Sequence, residues 1–129
     1  MILRIRAAIK SRYDMSEKRY MDEDKRYIPP EAVAKAAEYG LLLKEKFNRG
    51  GTKVGWARAK QLKERRLVTS SEIKKIASYF ARHEVDKQGK NFGNEANPSK
   101  GYIAWLLWGG DEGRSWAKEI SSQLFKDRD

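Results

Sequence analysis

The sequence predicts an all-α protein: a compact bundle of about five helices that contains a helix-turn-helix-like unit and follows an N-terminal arm. Apolar residues recur at helical spacing in several segments. Capping residues, glycines and prolines separate these segments, as they do at helix ends. A chain of 129 residues suffices for one hydrophobic core rather than two. We assign residues 1–26 to the arm and residues 27–129 to the helical domain.

The composition favours a folded protein and excludes several kinds of chemistry. Charged residues make up 36% of the chain, but four Trp, six Tyr and four Phe are more aromatic residues than disordered chains carry. The absence of Cys excludes disulfides, thiolate zinc sites and Cys nucleophiles, and a single His leaves little for a metal site or a triad. We therefore expect no enzyme activity, no cofactor and no metal. No stretch reaches the roughly 18 apolar residues of a membrane span, so no membrane partner is expected.

The N-terminal arm carries apolar residues that the predicted core does not need. Its secondary structure stays open, because some of these residues alternate as in a strand while others fit helical spacing. They are Ile2, Leu3, Ile5 and Ile9. An apolar segment with nothing to cover in its own chain commonly covers a second copy. We therefore expect a homodimer with the arm at or near its interface.

The first helix is predicted from about Pro30 to Phe47. Proline suits the first position of a helix, and apolar or small residues recur along one side: Val33, Ala37, Gly40, Leu41 and Phe47. A glycine inside a helix costs roughly 1 kcal/mol relative to alanine. Gly40 therefore indicates that another backbone comes close to this helix.

The second helix is predicted from about Lys53 to Arg66, with Thr52 as its N-cap. Its apolar side is thin and its outer face is broadly basic. The basic side chains are Lys53, Arg58, Lys60, Lys63, Arg65 and Arg66. The short turn Leu67-Val68 then leads to the third helix.

The third helix has the clearest pattern in the chain. Thr69 and Glu72 have the spacing of a capping box. One continuous stripe is predicted to be buried: Ile73, Ile76, Ala77, Phe80 and Ala81. The other face is predicted to be exposed: Lys74, Lys75, Ser78, Tyr79 and Arg82.

Two further helices follow a long loop at residues 84–100, which Phe92 is expected to hold against the body. The fourth helix, from about Ser99 to Trp108, is apolar nearly all round and is predicted to run through the core. Asp111 is predicted to cap the fifth helix. The inward face of that helix is expected to contain Trp116, Ala117, Ile120 and Leu124, with Phe125 beside them.

The distribution of charge suggests a polyanionic partner. The formal net charge is +10, and residues 44–66 alone carry +7. Helices two and three resemble a helix-turn-helix, in which the second member enters the major groove of DNA. On this interpretation the third helix faces bases through Ser71, Lys74, Lys75, Ser78, Tyr79 and Arg82. The second helix and the loop before it face phosphates through Arg49, Thr52, Lys53, Arg58, Lys60, Lys63, Arg65 and Arg66. A solvated basic surface without a partner is the alternative.

Three other groups of residues are candidates for ligand binding or catalysis. The run Asn48–Lys53 precedes a helix N-terminus and suits a phosphate contact, although its spacing is not that of a Walker loop. His83 lies near Glu84 and Asp86, where pairing with a carboxylate is a more common role than catalysis or metal binding with Asp111 and Glu112. The tryptophans of the fourth and fifth helices are expected to lie in the core: Trp105, Trp108 and Trp116.

Several strings from Pro29 onward resemble a small domain of tailed bacteriophages, including cyanophages. They are PPEAVAKAAEYGLLLKEKFNRGGTKVGWARAKQL, SEIKKIASYFARHEVDK and NPSKGYIAWLLWGGDEGRSWA. In phages this domain occurs alone or attached to virion-assembly proteins, and some stand-alone versions are labelled MarR-type transcription regulators. The resemblance implies a dimeric winged helix-turn-helix, yet the sequence after the third helix contains no alternating strand pair for a wing. The resemblance transfers no catalytic residues.

Together these observations predict a phage-encoded protein that binds duplex DNA, as a MarR-like regulator associated with the nucleoid in the host cytoplasm. The alternative is a non-enzymatic virion-assembly or host-protein interaction module whose basic face meets an acidic protein surface. An enzyme acting on nucleotides is a remote third interpretation.

Overall fold

Five α-helices form the body of the computed structural model, which describes residues 25–128. They are α1 (Glu31–Phe47), α2 (Lys53–Lys63), α3 (Ser70–His83), α4 (Lys100–Leu107) and α5 (Gly110–Arg128). A short 3-10 helix spans Glu84–Gln88, and two antiparallel strands of two residues each, β1 (Arg26–Tyr27) and β2 (Val68–Thr69), pair with each other. The all-α fold is confirmed. The predicted arm and its apolar residues lie outside the described residues, except for Lys25 and Arg26.

Helix α4 lies at the centre of the bundle and packs against all four other helices. Ile103 and Leu107 are fully buried and Trp105 is nearly so, because a helix that is apolar all round has no polar face to expose to solvent. A Cβ atom placed on Gly40 would lie 2.8 Å from the backbone nitrogen of Leu107. The close backbone approach predicted from Gly40 is therefore confirmed, and its partner is α4.

The consecutive helices α2 and α3 pack mainly against different partners. Helix α2 lies on α1, whereas α3 lies on α5. The connection between them is more than the predicted turn, because Val68–Thr69 forms β2 and pairs with β1 in the register Tyr27↔Val68 and Arg26↔Thr69. The two helices that suggested a helix-turn-helix are present, but each is held by another part of the bundle.

The observed helix ends differ from the predicted ends at three places. Pro30 is extended and precedes α1 instead of starting it. Helix α2 ends at Lys63 because Arg65 adopts a left-handed backbone with φ 52°. Helix α5 already begins at Gly110, so Asp111 lies in its first turn and is not its cap. The Asp111 carboxylate instead accepts a hydrogen bond of 2.9 Å from Trp105 Nε1.

The core contains most of the predicted apolar side chains. Ile73, Ile76 and Phe80 of α3 are buried as predicted, and the ring of Phe92 packs against those of Tyr102 and Trp105. Some predictions about burial are wrong. Ala81, predicted to be buried, is exposed, and Phe125, expected beside the inward face of α5, is exposed as well, whereas Tyr79 is only 5% exposed.

Candidate functional site

An open cleft of about 1050 Å³ runs beside α3. One wall is the exposed face of α3, and the other consists of the Asn48–Thr52 loop and the first turn of α4. Five basic side chains line it, and we call them the cleft cations: Arg49, Lys74, Lys75, Arg82 and Lys100. We call the whole site the basic cleft.

The α3 wall of the basic cleft is a single stripe of the helix. Apart from the adjacent pair Lys74 and Lys75, its members follow one another at intervals of three or four residues, which brings them onto one side of a helix. They are Ser71, Lys74, Lys75, Ser78 and Arg82. Of the six α3 residues predicted to face DNA, five therefore lie on this stripe, and their side chains are exposed or half-exposed.

The loop wall is held in place by hydrogen bonds and by close packing. The Arg49 guanidinium donates to Asn97 Oδ1 at 3.0 Å and to the Pro98 carbonyl at 3.1 Å. Trp56 Nε1 donates to the Gly50 carbonyl at 3.1 Å. Gly50 has φ 91°, and a Cβ atom there would lie 2.7 Å from the Ile103 side chain. These contacts define the position of the loop relative to α4.

Thr52 begins α2 at the edge of the loop wall. Its hydroxyl accepts a hydrogen bond from the Gly55 backbone N–H, as predicted for an N-cap. The N-termini of both α2 and α4 therefore lie at the basic cleft, through Thr52 and Lys100. Helix N-termini carry partial positive charge, which favours anions.

Aromatic rings form the floor of the basic cleft. The Tyr79 ring stacks on Trp108 at 4.6 Å and on His83 at 4.4 Å between ring centroids. The prediction that Tyr79 faces outward is wrong, because these two rings enclose its own. Its hydroxyl is buried and has no hydrogen-bond partner within residues 25–128, and burial, together with the negative charge of Asp86, raises the pKa of Tyr79. Trp108, predicted to be core, is half-buried and lines the cleft.

The cleft cations are little compensated by acidic groups. Within residues 25–128, Lys74, Lys75, Arg82 and Lys100 form no ion pair, and Arg49 binds only neutral acceptors. Asp86 is the one carboxylate among the described lining residues. It lies 3.1 Å from His83 Nδ1, so its charge is directed at the imidazole. The basic cleft therefore carries an excess of positive charge.

Arg58 is not part of this site. The prediction that its side chain faces outward is wrong, because it is only 10% exposed and lies 2.9 Å from Glu72 Oε2. It also donates to Gln61 Oε1 and lies over the Trp108 ring. Burial acts to raise the pKa of Glu72. Hydrogen bonds from the Thr69 backbone, Arg58 and Gln61 outweigh it and leave that pKa below its ordinary value.

The other basic residues predicted on the second helix lie outside the cleft lining. Arg65 Nε donates to the Pro29 carbonyl at 2.7 Å, and Arg66 pairs with Glu64 at 2.9 Å. The side chains of Lys53, Lys60 and Lys63 are exposed on α2. The charge maximum in the sequence therefore divides between the cleft, a set of structural contacts and open surface.

Lys100 was missed by the sequence analysis. It follows a loop that separates it from the other cleft cations by 17 residues or more. Its one local signal is that it follows Ser99, the N-cap of α4, whose hydroxyl accepts from the Tyr102 backbone N–H. A basic residue in the first turn of a helix opposes the helix dipole, and this unfavourable position could have marked Lys100 as functional.

The geometry does not favour a metal or catalytic site around His83. The imidazole pairs with Asp86, whereas Asp111 is 3.0 Å from Lys87 and bonded to Trp105. Among the described residues, no group of three His, Asp or Glu side chains is placed to share a metal ion.

Comparison of the chain with family models, with curated proteins and with solved structures found no match. Within the part of the chain that the structure describes, no helix has the length and apolarity to cross a membrane.

Proposed function

We propose that the protein binds DNA, with the phosphates of the backbone held in the basic cleft. The observation that carries this proposal is the grouping of five cleft cations that lack acidic partners among the described residues. Uncompensated lysines and arginines along a concave surface attract phosphates with little dependence on base sequence. Ser71 and Ser78, which lie on the same stripe of α3, add hydroxyl donors for phosphate oxygens.

The MarR-like regulatory role implied by the phage resemblance would depend on this same contact. Regulation adds a requirement for sequence preference, which arises from contacts to base edges rather than to phosphates. The contact with phosphates should therefore be measured before any sequence preference.

The test is a fluorescence anisotropy titration with a partial DNA duplex that also carries a single-stranded tail. If the cleft cations neutralise about four or five phosphates, the slope of log K against log salt should be near −3 to −4. The variant with Lys75→Ala and Arg82→Ala should reduce the steepness of this slope by about 2. Its melting temperature should match that of the wild type, since both side chains are exposed.

The matched control removes the same charge from α2. Lys60→Ala with Lys63→Ala changes two exposed lysines outside the cleft, so the slope should stay within about 0.5 of the wild-type slope. An equal effect of the two double variants would show that net charge alone drives binding. DNA binding that is independent of salt would contradict the phosphate contacts. A protein that binds no DNA would favour the alternative of an acidic protein partner.

A further inference from the structure

The shape of the basic cleft bears on the form of DNA that it can accept. A recognition helix that reads the major groove must protrude, because the groove, about 12 Å wide, admits little more than the helix itself. Here the exposed face of α3 is one wall of a concavity. The Asn48–Thr52 loop and the first turn of α4 form the other wall, so α3 does not protrude as a recognition helix does.

The opposite wall resists displacement. Arg49 ties the loop to Asn97 and Pro98, and the Trp56 indole ties Gly50 to α2. The contact of Gly50 with Ile103 places the loop directly against the central helix. Moving the loop away so that α3 could enter a major groove would break these contacts, whereas a single strand lying along α3 would not require the loop to move.

The interior of the cleft suits one sugar-phosphate backbone. From Ser71 to Arg82 the α3 stripe spans about 16 Å at 1.5 Å per residue, with cations along its length. The N-termini of α2 and α4 add partial positive charge from the other side.

We propose that the basic cleft binds a single strand of DNA in preference to a duplex, with the strand running along α3. This inference rests on the proposed function and specifies its substrate. Proteins that bind single strands hold the backbone in a positively charged groove, and their sites take about 4 to 16 nucleotides per domain.

The experiment compares two labelled probes at the same salt concentration: an oligothymidylate of about 16 nucleotides and a hairpin duplex of similar length without free ends. We expect the single strand to bind at least tenfold more tightly. Equal or tighter binding of the duplex would overturn the inference while leaving the proposed function intact. Failure of both probes and of the partial duplex to bind would instead overturn the proposed function.

A second measurement locates the strand in the cleft without changing charge. Ser78→Trp places a large side chain on the α3 wall and should weaken binding of the oligothymidylate at least tenfold. Ala81→Trp is the control, because Ala81 is exposed on the same helix but does not line the cleft. Thermal melting of both variants establishes that they fold. Unchanged binding by folded Ser78→Trp would place the strand elsewhere and contradict the proposal.

Discussion

The cleft cations and the arginines around the α2–α3 connection have the same charge but different surroundings. We call Arg58, Arg65 and Arg66 the connection arginines. Each is bonded to a nearby acceptor of the protein: Glu72, the Pro29 carbonyl and Glu64, respectively. By contrast, no carboxylate of the described residues pairs with a cleft cation. The difference teaches that a basic segment indicates a binding surface only where its charges lack partners within the fold.

The first prediction uses the most enclosed of the connection arginines. Arg58→Ala should lower the free energy of unfolding by about 2 to 3 kcal/mol, because it leaves the Glu72 carboxylate without its positively charged partner in a partly buried site. Urea denaturation measures the change. DNA binding of the folded variant should equal that of the wild type. A stable Arg58→Ala variant with weakened DNA binding would contradict this comparison, because it would assign Arg58 to the binding surface.

The second prediction concerns the capping box that shares Glu72 with Arg58. Thr69→Ala should cost about 1 kcal/mol, because the Glu72 backbone N–H loses the Thr69 hydroxyl as its acceptor. The same denaturation series measures this loss. Thr69→Ser is the matched control and should retain nearly all of the stability, since serine caps equally well. Equal destabilisation by both variants would contradict the capping role.

The third prediction follows from the lowered pKa of Glu72. A carboxyl whose pKa is lower in the folded than in the unfolded state stabilises the fold above its unfolded pKa and loses this effect as pH falls through the folded pKa. The stability difference between wild type and Glu72→Gln should therefore be constant near neutral pH. It should shrink below the ordinary glutamate pKa of 4.5. Urea denaturation at a series of pH values down to about 3 tests it, and a difference independent of pH would contradict it.

The smallest effect is expected for the most exposed connection arginine. Arg66 and Glu64 form an ion pair in which both side chains are more than half exposed, and such pairs contribute about 0 to 1 kcal/mol. Arg66→Ala should therefore change stability by less than about 0.5 kcal/mol and leave DNA binding unaltered. A clear loss of binding would show that the proposed DNA-binding surface must extend from the cleft to this connection.

Features encoded by near neighbours were determined by the sequence itself. The repeat of apolar residues defined the helices, and the capping box of α3 was evident from Thr69 and Glu72 because both partners lie within one turn. Gly40 indicated the close approach of a second backbone because its cost inside a helix needs a compensating contact. The central position of α4 followed from its lack of a polar face.

The tertiary structure alone decided which charged and aromatic side chains remain available. Arg58 and Glu72 are 14 residues apart, and the Tyr79 ring is enclosed by Trp108 from another helix. Lys100 reaches the basic cleft only because α4 begins beside α3. Helical periodicity reports which residues share a face, but it carries no information about which helix covers that face. Packing between distant segments therefore determined the separation of structural from unpaired cations.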